Sequence, residues 1–252
     1  MERRWLRMWI STLRAAIFLS LLVAIPLTVI IWTHPVLAAA VCPRCFGFVR
    51  IEQGVFVERS MPPADRAATL KRLNAAEDRV AKFYGTVEYR PRILVCKTDA
   101  CFQEIGGGSA QVGSIGSFVL LVSPRAENVV LMSHELSQIE LVGRIGVIRS
   151  FIGAVPAWFN QGVDVLVSDD PYYLAPAGKY HDRCVAEPSG NLPNDMVVWV
   201  QQANRDVLLY AVAACRVDRW MIKRGGPVAV NALLRQIADG TAFDKAYGEI
   251  AK

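Results

Sequence analysis

No Lys, Arg, Asp or Glu occurs between Arg14 and Arg44, and the heart of that window, AAIFLSLLVAIPLTVIIW from Ala15 to Trp32, is almost wholly apolar. Its length matches the shortest membrane-spanning helices, which need roughly 17–25 apolar residues. Arginines precede it and none follows closely, which predicts a cytoplasmic N-terminus and an exported remainder. Two readings of the segment stand side by side. An uncleaved anchor fits its length, whereas Pro35 and the small-residue run Ala38-Ala39-Ala40 fit a signal peptide processed after Ala40. Either way the chain divides into residues 1–40, an anchor or signal peptide, and residues 41–252, an extracytoplasmic domain.

Beyond Cys45 the pattern changes to short β-type patches around Gly54, over residues 48–58. Pro62-Pro63 opens a helical stretch in which Leu70, Leu73, Val80 and Tyr84 recur at helical spacing and Gly85 marks the stop. Residues 92–96 (RILVC) and 118–122 (FVLLV) read as buried strands. The glycine-rich stretch between them, 106–116, reads as a flexible loop, since it lacks the Gly-Lys-Ser/Thr ending of a phosphate loop. Helices are predicted over 127–141 and 156–168, the latter with Pro156 in its first turn. The region 169–204, rich in Pro, Gly, Asn and Asp, reads as a loop-dominated connection, and helices follow over 206–223, 227–238 and 243–250. Strands first and helices later make this an α+β chain.

Charge adds little to this picture. Of the formal net charge of +5, the first forty residues supply +3, so the folded part is close to neutral. It shows no basic stripe of the kind a nucleic-acid binder carries. The six cysteines add more. An even number in an exported chain points to disulfides, although six allow 15 pairings. The simplest arrangement pairs Cys42 with Cys45, Cys96 with Cys101, and Cys184 with Cys215. The Cys42-x-x-Cys45 motif follows the export segment rather than a strand leading into a helix, which argues against thioredoxin-like redox chemistry. A zinc knuckle of Cys42, Cys45, Cys96 and Cys101 is disfavoured because an oxidising compartment consumes thiolates.

The chemistry-bearing stretch is His134-Glu135-Leu136-Ser137-Gln138. In an H-E-x-x-H helix the two histidines at i and i+4 share a face and bind Zn²⁺, and the glutamate beside the first deprotonates the attacking water. A second segment strengthens the comparison: Val155-Pro156-Ala157-Trp158-Phe159-Asn160-Gln161-Gly162, followed by Ser168-Asp169-Asp170. It resembles the glutamate helix of gluzincins, which reads as an aromatic pair, Asp or Asn, then Glu-Gly, with that Glu as third zinc ligand. With the helix around Tyr210 and Cys215, the chain resembles exported bacterial zinc peptidases of the peptidase-MA-like, gluzincin type. The resemblance implies a zincin-like domain: a small mixed sheet, then the active-site helix, the glutamate helix and C-terminal helices. It also implies zinc as cofactor and Glu135 as catalytic base. Residues 118–122 would form the edge strand along which an extended peptide lies, so that Phe118, Val119 and Leu120 would touch it. Tyr172, Tyr173 and His181, in the loop after the second helix, sit where gluzincins often place substrate-contacting groups.

The departures fall on the metal. Carried over position by position, the ligands are His134, Gln138 and Gln161, and only the first is a normal zinc donor. A neutral amide oxygen donates weakly, and Gln in place of Glu removes the charge that offsets the cation. Zinc is therefore expected to be weak or absent, and Glu135 to have no polarised water to act on. Asp164, one helical turn beyond Gln161, is the candidate for a substitute carboxylate, and Glu140 is too far around its helix. Two functions follow: an impaired or inactive module that binds a peptide or protein at the outer membrane face, or a working peptidase with a rearranged site on His134 and Asp164.

Overall fold

A computed structural model describes residues 33–249 except 109–111, 179–180 and 189, together with isolated positions 17, 18, 20, 22, 24 and 28. The apolar segment 15–32 thus lies largely outside the described residues. Among the described residues no helix is long and apolar enough to cross a membrane.

The fold is α+β. One mixed sheet contains β1 (Phe48–Glu52), β2 (Val55–Glu58), β3 (Arg92–Val95), β4 (Val112–Ile115) and β5 (Val119–Val122), in the order β1-β2-β3-β5-β4. The hairpins β1–β2 and β4–β5 are antiparallel, while β2–β3 and β3–β5 are parallel. Both faces of the centre are covered. Val57, Ile93, Val95, Leu120 and Val122 join the main core under the long helices, whereas Leu94, Val119 and Leu121 meet Ala39, Ala40, Phe102 and Ile105 on the other face. A strand buried on two sides reads as an unbroken apolar run, which is why 92–96 and 118–122 were legible as strands.

The helices are α1 (Pro35–Val41), α2 (Pro63–Tyr84), α3 (Asp99–Glu104), α4 (Val129–Ile145), α5 (Val147–Phe151), α6 (Ala157–Ser168), α7 (Met196–Ala203), α8 (Leu209–Ile222), α9 (Pro227–Ala238) and α10 (Phe243–Glu249). Helix α2 buries Thr69, Leu73, Ala76, Val80 and Tyr84, one stripe at three- and four-residue spacing, and ends at Gly85 with φ 85°. Asn128 caps α4, its side chain accepting from the Leu131 amide at 3.0 Å. Helices α6 and α8 approach so closely that a Cβ at Gly162 would lie 2.7 Å from the Ala213 carbonyl oxygen. The glycine of the second motif is therefore a packing requirement. The disulfides are Cys42–Cys45, Cys96–Cys101 and Cys184–Cys215, the simplest of the possible pairings. They mark an oxidising, extracytoplasmic environment.

Four expectations need correction. The glycine-rich stretch is not all loop, since it contains β4. Val-Gly-Ser-Ile is a poor intrinsic strand former, and pairing with β5 supplies what propensity lacks. Consequently residues 118–122 are not an edge strand: β5 lies between β3 and β4, and β4 is the edge. Helix α7 interrupts the connection read as loop, capped by Asp195 accepting from the amides of Val197 and Val198 at 2.8 and 3.0 Å. Finally, the boundary at residue 40 falls inside folded structure. Ala39 and Ala40 of α1 are 0% and 7% exposed against the sheet, and the Arg92 guanidinium donates to the Ala40 carbonyl.

Candidate functional site

The first half of α4 faces α6, α8 and the edge strand, and the motif residues meet there. The Gln161 side chain lies beside the His134 ring, close enough to act on its ionisation. Burial is the larger influence on that ring and lowers its pKa to about 4, leaving a neutral imidazole at neutral pH. Glu135 turns toward the sheet, where the Ser114 hydroxyl of β4 lies close enough to favour its charged form. Burial outweighs the influence of Ser114 and raises the carboxyl to about 7.

Gln138, the third position, lines an adjoining cleft of about 400 Å³ with Asn160, Ser150, Phe151, Ile152, Asp195 and other residues. Asn160 is 7% exposed, and its Oδ1 has no hydrogen-bond partner. Such a buried acceptor leaves about 1–3 kcal/mol of desolvation uncompensated.

Asp164 is wholly buried one turn along α6. Ser137 Oγ donates to its Oδ1 at 2.7 Å, and the Tyr84 hydroxyl lies 3.3 Å from Ser137 Oγ, completing a chain Tyr84–Ser137–Asp164. Its Oδ2 has no partner. Burial first, and the neighbouring Glu135 carboxylate in addition, push the Asp164 carboxyl well above its ordinary range. Glu140, by contrast, is not in the site: it accepts from the amides of Glu88 and Tyr89 and from Arg144.

The residues expected to touch substrate divide. Val119 and Leu120 are buried in the interior of the sheet, whereas Phe118 sits at the β4–β5 turn, 62% exposed. Tyr173 stacks on Tyr210 at 5.3 Å, and Tyr210 in turn meets the edge of the His134 ring at 6.3 Å. Tyr172 packs edge-on against Tyr173 but is itself exposed, and His181 is exposed in the same loop. The sequence reading gave no role to Tyr210, Ser114 or Asn160. Tyr210 could have been found as one of the two aromatics, with Trp220, of its helix. Ser114 had no local signal, because only strand pairing brings it to Glu135.

The donors do not fit zinc. One imidazole and two amides make a weak set, and Gln161 already engages His134. Among the described residues no three His, Cys, Asp or Glu donors gather at His134. The one such group, Glu58 with Cys96 and Cys101, is spoken for: the cysteines are disulfide-bonded, and Glu58 accepts from the amides of Lys97 and Thr98.

No protein-family model matches the chain, and no curated protein or solved structure matches it either.

Proposed function

We propose that this chain is an exported, zincin-like domain that has lost its metal and binds an extended peptide or protein segment along β4. The observation that carries the reading is the position of β4. It is a sheet edge whose outer side pairs with no strand among the described residues, and it packs against the motif helix α4, with Ser114 beside Glu135. An extended segment added there gains backbone hydrogen bonds. The neighbouring cleft offers the Gln138 side chain to the segment's side-chain or backbone N–H groups. The same neutral His134–Gln161 pair that argues against a metal leaves polar groups for recognition.

The membrane part of the reading is that residues 15–32 remain as an anchor. Cleavage after Ala40 would cut a helix whose Ala39 and Ala40 belong to the core. The described positions Ile17, Phe18 and Leu22 are exposed rather than packed on the domain. The hydroxyls of Ser20 and Thr28 bond to the Ile17 and Ala24 carbonyls at 2.8 and 2.7 Å, which hides them from an apolar solvent.

Two measurements test the proposal. Metal analysis of the purified full chain should find no stoichiometric zinc, while Gln138→His with Gln161→Glu should acquire it. Stoichiometric zinc in the unaltered chain, lost on His134→Ala or Asp164→Ala, would favour the rearranged peptidase instead. Peptides selected for binding should slow amide exchange of residues 112–115. Binders that leave β4 unprotected would remove the edge-strand reading.

A further inference from the structure

Three pieces of chain place apolar side chains in solvent on one continuous surface. Val41 of α1 is 73% exposed, Phe118 at the β4–β5 turn is 62% exposed, and α5 contributes Ile148 and Phe151 at 80% and 91%, with Ile152 just beyond it at 71%. Their adjacency follows from two contacts. Leu37 and Val41 line one groove, of about 740 Å³, with Phe118 and Val119. Phe118 in turn meets α5 across Gly116, where an added Cβ would lie 3.5 Å from the Phe118 ring and 3.8 Å from Val147 Cγ1. Helix α5 buries none of its residues. An apolar patch of this extent is uncommon on a monomeric soluble domain and marks a contact surface.

Continuity with the apolar segment identifies the occupant. Exposed aromatic and aliphatic side chains of this kind suit a bilayer interface, whereas the nearby Arg125 and Arg144 are engaged with Asp99 and with Glu88 and Glu140. The apolar segment of the chain ends at Trp32, three residues before α1 begins, so α1 and the surface it lines lie within a few residues of that membrane.

We infer that the surface made by α1, the β4–β5 turn and α5 is a bilayer-contacting face, with Ile148, Phe151, Ile152 and Phe118 entering the lipid interface. It rests on residues 15–32 being an anchor. One consequence concerns the candidate site. Phe151 and Ile152 also line the Gln138–Asn160 cleft, so that cleft opens at the membrane surface, and a segment emerging from the bilayer reaches it without crossing bulk solvent.

Photocrosslinking in the full chain, reconstituted in vesicles of phosphatidylethanolamine and phosphatidylglycerol, tests this. Benzoylphenylalanine in place of Phe151 or Phe118 should form lipid adducts, and in place of Lys71, on α2 across the sheet from α1, should form none. Ile148→Asp with Phe151→Asp should lower the Phe118 adduct yield severalfold, and both positions are exposed enough to leave folding intact. A probe at Leu22 reports the anchor separately. Lipid adducts at 22 with none at 118 or 151 overturn the face and leave the anchor standing, whereas none at any of the three overturns both. Adducts at 151 without 22 retain the face and remove the anchor. Crosslinks from 151 to a second copy, or to residues 15–32 of the same chain, without lipid adducts overturn the inference in favour of those occupants.

Discussion

The two halves of α4 bury carboxyl groups in opposite ways. In the second half Glu140, 0% exposed, accepts from the amides of Glu88 and Tyr89 and from the Arg144 guanidinium, which also reaches the Thr86 carbonyl. Every part of that carboxylate has a partner, and it holds the 86–89 segment against the helix. In the first half Glu135 has one serine as partner, and Asp164, facing it from α6, has one serine on one oxygen and nothing on the other. Compensated burial is architecture. Uncompensated burial persists in a fold when something besides stability maintains it, which is why the first half reads as the site.

Substitutions can break that contrast. Glu140→Ala should be the most damaging, costing about 3–5 kcal/mol, because it leaves the largely buried Arg144 and two amides without their acceptor. Urea unfolding with the disulfides intact measures it, and a loss below about 1 kcal/mol would erase the distinction between the halves. Glu135→Gln should act in the other direction. Since the folded protein holds this carboxyl up to about 7 from an ordinary 4.5, the native state keeps a proton that the unfolded chain has released. Stability from this group therefore falls as pH rises through that window, by about 3 kcal/mol in all. His134 works oppositely: its pKa is lowered to about 4, so its contribution rises with pH up to the ordinary value near 6.5. The informative quantity is thus the difference between Glu135→Gln and the unaltered chain. It should grow in favour of the variant by about 3 kcal/mol from pH 4 to pH 8, and a flat difference would show an ordinary carboxylate.

Smaller effects sharpen the picture. Gly143→Ala would place a Cβ 2.2 Å from the Tyr89 ring, and should cost about 1–3 kcal/mol by forcing the 86–89 segment outward. Thermal unfolding detects it, and a silent substitution would mean that segment is loosely held. Ser137→Ala removes the one donor to Asp164 and should cost about 1 kcal/mol. It should also raise the Asp164 carboxyl further, visible by carboxyl NMR titration. No change in that titration would mean the 2.7 Å hydrogen bond is not what holds the group.

Much of this was legible from the chain because it is local or periodic. The α2 stripe Leu73–Val80–Tyr84, the doubly buried strands, the helix stops at Gly85 and Gly225-Gly226 and the even cysteine pairing all follow from short-range rules. The nearness of His134 and Gln161 was expected from the motif comparison, and Gln138, one turn beyond His134, lines the neighbouring cleft. Strand β4, helix α7 and the place of α1 in the core were not legible. Each is weak by propensity or composition and gains its stability from neighbours distant in sequence.

By itself the sequence determined an α+β chain in an oxidising compartment, with a histidine and a glutamate side by side on one helix. Those are matters of residue identity, and no packing alters them. The tertiary structure decided which carboxyls have partners, which strand is the edge, and where the exposed apolar side chains come together. These depend on contacts between segments far apart along the chain, where long-range burial and pairing outweigh local preference.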